Sequence, residues 1–101
     1  MKVLIDFTII PLGVGVSLSP YVARCHEIFE KRKITSTLHA NGTNLEGEWD
    51  DVMGAIKECH ELIHQTGVPR IASIIKVGTR TDRSQTMDDK IKSVNSKLHR
   101  A

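Results

Sequence analysis

Residues 35–47 read TSTLHANGTNLEG, and the Asn41-Gly42 pair near the centre decides how the chain is laid out. Asn-Gly between two segments of alternating polarity is the strongest short hairpin signal, because a type I′ turn needs positive φ at both central residues. A bend at 41–42 sets Ala40 opposite Thr43, His39 opposite Asn44, Leu38 opposite Leu45 and Thr37 opposite Glu46. Successive side chains on a strand point to opposite faces. One face of the hairpin then carries Leu38, Ala40, Thr43 and Leu45, and the other Thr37, His39, Asn44 and Glu46. The first face must meet a helical layer. The second is left polar.

Working outward, KVLIDFTII (2–10) alternates and is rich in β-branched types, which predicts a strand. PLGVGVSLS follows as a loop. Ser19 is the expected N-cap of a first helix, with Pro20 at its first helical position. That helix runs to about Lys33, with Val22, Cys25 and Phe29 on its apolar side and Lys31, Arg32 and Lys33 at the negative end of its dipole. Beyond the hairpin, GEWDDVMGAIKECHELIHQTG (47–67) predicts a second helix that begins with Glu48, Asp50 and Asp51. Gly67 ends it in the left-handed region, and Pro69 prevents resumption.

RIASIIKVGTR (70–80) reads as a fourth strand, with Ile71, Ser73, Ile75 and Val77 on one face and Ala72, Ile74 and Lys76 on the other. Thr86, with Asp89 three residues on, is a capping-box variant that opens a last helix. The narrow apolar line of that helix, Ile91, Val94 and Leu98, is flanked by Lys90, Lys92, Lys97 and Arg100, and must pack on something such as an adjacent subunit.

The order β-α-β-β-α-β plus a helix predicts an α+β, ferredoxin-like domain spanning residues 1–101. Right-handed crossovers place two helices on one face of a four-stranded antiparallel sheet. The opposite face stays open and carries Leu4, Asp6, Thr8, Thr37, His39, Asn44, Glu46 and Lys76. It is solvated, a subunit interface or a site.

Composition narrows the functions. With 40% hydrophobic and 26% charged residues, the 101-residue chain is an ordinary globular domain. A formal charge of +2 is too small to predict nucleic-acid or membrane binding, and one Trp, one Tyr and two Phe supply no stacking platform for single strands. No apolar run approaches the roughly 20 residues of a membrane helix. The opening MKVLIDFTIIPLG is interrupted by Asp6 and Thr8 at strand spacing, so no signal peptide is read and a cytoplasmic protein is expected. Cys25 and Cys59 each lie on a helical apolar stripe and are expected as small buried thiols.

HELIHQTGVPR (60–70) contains the H-E-x-x-H of zinc proteases in His60, Glu61 and His64. A catalytic zinc needs a third protein ligand. The extended pattern places it at position 70, which is Arg70, and no Glu follows Ala72. No metal site is expected, and a zinc hydrolase is disfavoured. PLGVGVSLSP matches neither the dinucleotide nor the P-loop fingerprint, and Ser17, His39 and Asp6 lack a nucleophile-elbow context, so no catalytic residue is assigned. Arg80 and Arg83 in VGTRTDR are anion partners or solvated cations. On the open face, Glu46 and His39 could meet a heterocyclic nitrogen, with Trp49 or Tyr21 to stack on an aromatic cation. Equally, they could be exposed polar residues, with Trp49 packed over a helix start.

PLGVGVSLSPYV, TLHANGTNLEGEWDDVM, GVPRIASIIKVGTRTDR and KIKSV together resemble the YkoF-like thiamine-binding family, nearly end to end from Phe7 to Leu98. The block at 38–53 is its most specific part. The resemblance implies a ferredoxin-like fold, homodimers or homotetramers, and non-catalytic binding of thiamine or its hydroxymethylpyrimidine part, with no cofactor, nucleic acid or membrane involved. Matching positions are Pro11, Gly13, Ser17, Ser19, His39, Gly42, Thr43, Glu46, Trp49, Arg80 and Asp82. Within this reading Glu46 would contact the aminopyrimidine, His39, Ser17 and Thr37 would add hydrogen bonds, an aromatic such as Trp49 would stack, and Thr43 would be structural or ligand-facing. The alternative is a structural or regulatory homo-oligomeric module whose open face holds no ligand.

Overall fold

The structure, a computed structural model, describes residues 1–98. The elements run β1 (Lys2–Pro11), α1 (Ser19–Lys31), β2 (Thr35–His39), β3 (Gly42–Glu48), α2 (Trp49–Gln65), β4 (Ile71–Gly78) and α3 (Met87–Leu98). The strands form one antiparallel sheet in the order β2-β3-β1-β4, the ferredoxin-like arrangement expected. Among the described residues no helix is long and apolar enough to cross a membrane.

Strand β1 alternates cleanly, with Val3, Ile5, Phe7 and Ile9 buried. These side chains meet Leu45 from β3, Cys25, Ile28 and Phe29 from α1, and Val52, Ala55, Ile56, Cys59 and Ile63 from α2. Phe29 stands edge-on to Phe7, with ring centroids 6.2 Å apart. Both cysteines are buried and free, and their thiols share a hydrogen bond across the helix pair. That bond and burial push the Cys59 thiol up.

The hairpin bend is one residue earlier than expected. His39 pairs with Gly42 and Leu38 with Thr43, so the turn residues are Ala40 and Asn41. Among the described residues positive φ is confined to Lys33, Gly13, Gly15 and Gly67, which excludes the type I′ turn. Gly42 is required for a different reason. A Cβ there would lie 2.7 Å from the Phe7 carbonyl oxygen and 2.8 Å from Thr8 Oγ1, so β1 can approach β3 only over a glycine. The shift moves every cross-strand partner by two positions. The side-chain period is also two, so the face assignments survive intact.

The remaining differences are local. Ser19 is the first helical residue of α1 and not its N-cap; Leu18 takes that place without a side-chain cap. Helix α1 ends at Lys31 and closes through Lys33 in the left-handed region (φ 58°), where the Ile34 N–H donates to the Phe29 carbonyl at 2.9 Å. Gly67 does end α2 with positive φ. Leu38, assigned to the helix side, is 62% exposed because β2 is an edge strand that the helices do not cover there. The capping box of α3 forms as expected: Asp89 N–H donates to Thr86 Oγ1 and Thr86 N–H to Asp89 Oδ2, each at 3.0 Å. Ile91, Val94 and Leu98 lie exposed along that helix, and Arg100 falls outside the described residues.

Candidate ligand-binding site

The open face is organised from the hairpin bend. The backbone N–H of Asn41 donates to His39 Nδ1 at 3.3 Å, which leaves Nε2 as the protonated nitrogen, donating to Asp6 Oδ1 at 2.9 Å. Thr8 Oγ1 donates to the Asn41 carbonyl at 2.9 Å, tying the bend down onto β1. Asp6 thus has one oxygen held and its other oxygen without a hydrogen bond among the described residues. Glu46, across β3 from Leu4, accepts the Met87 N–H through Oε1 at 2.7 Å. This carboxylate satisfies one of the unpaired donors in the first turn of α3 and matches the positive end of the helix dipole.

The tie fixes the start of α3 to the open face, and the 79–86 connector with the first turn of that helix borders an open cleft of about 1080 Å³, while α3 itself buries no residue. Its sheet wall includes Leu4, Asp6, Asn44 and Lys76; its other wall includes Ser84, Met87 and Ile91. The connector is braced internally by Arg80, whose guanidinium donates twice to Asp82 and once to Gln85 Oε1 at 2.8 Å. That guanidinium holds the Asp82 carboxyl down at about 2.

Thr37, His39 and Glu46 share the open face, as the alternation required, but none lines the cleft. His39 acts on it through Asp6, and Glu46 through Met87. Thr37 stands exposed on the edge strand opposite Asn44. Three other expected site residues lie elsewhere. Thr43 is 3% exposed beneath the helices, its hydroxyl 2.9 Å from His26 Nε2. Trp49 packs against the core at the head of α2. Ser17 is exposed on the loop leaving the Pro11 end of β1, whereas the cleft lies toward the Lys2 end. The residues missed are Asp6, Asn44 and Met87. The first two were legible, since they already stood on the predicted open face. Met87 was not, because nothing local says where the connector goes.

The H-E-x-x-H histidines are engaged in packing. His60 Nε2 lies 2.9 Å from Ser73 Oγ, and His64 Nδ1 donates to the Val68 carbonyl at 2.7 Å. Desolvation, then the neighbouring His64, pushes the His60 imidazole down. Among the described residues no three His, Cys, Asp or Glu side chains converge to hold a metal ion.

Fold and cleft together define a ferredoxin-like protein with a concave site on the uncovered sheet face. A family model described as "Thiamine-binding protein" matches residues 5–95, and the chain belongs to that family. A UPF0045 protein of Synechocystis sp. is 52% identical over 98 residues, covering 97% of this chain and 81% of the relative. A UPF0045 protein of Eremothecium gossypii is 39% identical over 99 residues, covering 97% and 94%. The crystal structure of a hypothetical protein from Methanocaldococcus jannaschii superposes with a TM-score of 0.85 at 37% identity, over 93% of this chain and 96% of the other. A candidate thiamine biosynthesis/salvage protein of Thermotoga maritima shares the fold, with a TM-score of 0.78 at 18% identity over 93% and 99% of the two chains.

Proposed function

We propose that this protein binds thiamine or its hydroxymethylpyrimidine part, without catalysing a reaction, in the cleft between the open sheet face and the α3 connector. The observation that carries the reading is a carboxylate, Asp6, held by His39 at 2.9 Å and presented to a cleft of about 1080 Å³, in a chain of the thiamine-binding family. The free oxygen of Asp6 can accept an N–H from the amino group of an aminopyrimidine, and the Asn44 amide beside it can donate to a ring nitrogen. Glu46 serves the site by docking the α3 wall. Leu4 and Ile91 supply apolar surface for the ring.

Self-association belongs to the same proposal. Ile91, Val94 and Leu98 form an exposed apolar line on α3, the stretch that a second copy would cover in a dimer or tetramer. Calorimetry with thiamine and with hydroxymethylpyrimidine tests the binding. Asp6→Asn should weaken it at least tenfold while the fold persists. Absence of heat, and of any melting shift at millimolar ligand, would refute the reading. If Val94→Lys leaves the mass in solution unchanged, the α3 contact is wrong.

A further inference from the structure

The lining of the cleft carries more cations than carboxylates. Five cationic side chains line it, Lys2, Lys76, Arg80, Arg83 and Lys90, against one carboxylate, Asp6. Arg80 is committed to Asp82 and Gln85. The other four make no ion pair among the described residues. They converge from both walls: Lys2 and Lys76 from β1 and β4, Arg83 from the connector and Lys90 from α3. Asp82, Asp89 and Glu46 stand nearby and keep their charges, but Asp82 is bonded to Arg80, Asp89 to the Thr86 N–H and Glu46 to the Met87 N–H, and none forms an ion pair with Lys2, Lys76, Arg83 or Lys90.

Like charges facing one concavity repel one another, and low-dielectric walls focus their field onto whatever anion enters. Thr79, Thr81 and Ser84 add hydroxyl donors along the same wall. The volume, near the upper end for small-molecule sites, leaves room beyond a heterocycle.

We propose that the guest is a phosphorylated heterocycle, a phosphate or diphosphate ester, with its ring toward Asp6 and Asn44 and its ester among Lys76, Arg83 and Lys90. This deepens the heterocycle-binding reading above and rests on it. The neutral or singly charged end and the anionic end of one molecule then meet the two differently charged parts of one cleft.

The test is calorimetric titration of thiamine, thiamine monophosphate, thiamine diphosphate and inorganic pyrophosphate into the wild type and into an Arg83→Met/Lys90→Met double variant, each at low and high salt. The diphosphate ester should bind about tenfold or more tightly than thiamine, from one added charge-assisted contact or more. The preference should shrink with salt and vanish in the double variant, which should bind thiamine, itself a cation, at least as well as the wild type does. Neither side chain has an ion-pair partner to lose, so the variant should melt with the wild type. Equal affinity for thiamine and its esters, or a preference that survives the double substitution, would overturn the anionic-guest inference and leave heterocycle binding standing. Pyrophosphate binding that the double variant abolishes, with no binding of any thiamine compound, would sustain the anion site and overturn the heterocycle reading. Binding of none of the four overturns both.

Discussion

Glu46→Ala should release the α3 wall without unfolding the body. The bond removed is a carboxylate acceptor on the Met87 N–H at 2.7 Å, half-buried, at the positive end of a helix. A hydrogen bond to a charged group contributes about 1.5–3 kcal/mol, a figure that partly contains the dipole contribution of about 0.3–1 kcal/mol. For a half-exposed site about 2 kcal/mol is the reasonable figure, which is roughly a 30-fold rise in the undocked population. The helix itself stays wound, because Thr86 still accepts from the Asp89 N–H and its carbonyl from the Lys90 N–H. Amide hydrogen exchange should therefore accelerate by up to about 30-fold at Met87 and its neighbours, while amides of β1 and β3 keep their protection. Glu46→Gln keeps a neutral acceptor and should fall between, at about fivefold, or roughly 1 kcal/mol. Ligand affinity should drop in the same order, since a competent cleft populated for a smaller fraction of the time binds proportionally more weakly. Exchange at Met87 unchanged in the Ala variant, or Gln as disruptive as Ala, would refute this account of Glu46.

Other perturbations separate further parts of the argument. Gly42→Ala should lower stability by about 1–3 kcal/mol in urea titration, because its methyl group would meet the Phe7 carbonyl at 2.7 Å and backbone must yield. Lys33→Gly should raise stability by about 0.5–1 kcal/mol, since relief of a left-handed conformation outweighs the added freedom of the unfolded chain; no gain in thermal melting would mean that φ there is not strained. Hydrogen bonds from Thr86, the backbone N–H first, hold the Asp89 carboxyl below its ordinary 3.8. The capped state of α3 is thus favoured above the unfolded-chain value and loses that support as pH falls through the lower folded one, so α3 should fray in acid and Asp89→Asn should remove that pH dependence in circular dichroism. The His60 imidazole is pushed down by burial, so its neutral form is favoured in the fold. Stability should fall as pH drops below about 6.5, where the unfolded chain takes up the proton first, and His60→Gln should flatten that limb.

Much of the architecture was legible because it depends on period alone. Alternation in 2–10 and in 70–80 identified strands; Val3, Ile5, Phe7 and Ile9 are inside as read and Ile74 is outside at 62% exposure, whereas Ile71, Ser73 and Ile75 are only half-buried and Val77 is exposed toward the end of β4. Capping chemistry placed the C-terminal end of α2 at Gly67 and the start of α3 at Thr86. What failed were statements of single positions. Ser19 as an N-cap, and the bend at 41–42, each missed by one residue, because several neighbouring residues could have served and tertiary contact chose among them. Ser17 enters the site only through the family resemblance and stands at the far end of β1, and of the two places read for Trp49, beside Glu46 or over the helix start, packing selects the second. Lys76 on the open face, and Arg80 and Arg83 as anion partners, are legible in the sequence, but Met87 is not, because its bond to Glu46 is a long-range contact that no periodicity encodes.

The misplaced bend shows why the open face is the sturdier inference. Asn-Gly was read as a demand for positive φ, yet the glycine answers to a neighbour in space, the carbonyl of Phe7 on the adjacent strand. Had the turn needed one more or one fewer residue, the hairpin pairing would have set opposite faces of β2 and β3 together, turning Thr37 and His39, or Asn44 and Glu46, toward the helices, at a cost that a marginally stable domain of this size does not absorb. Only displacements of two in pairing are permitted, and these leave each side chain on its own side. The turn's identity is therefore free to vary, while Asp6, Asn44 and Glu46 are confined to the uncovered face by the burial of Phe7, Thr43 and Leu45 between them. The polar site is the necessary complement of the core.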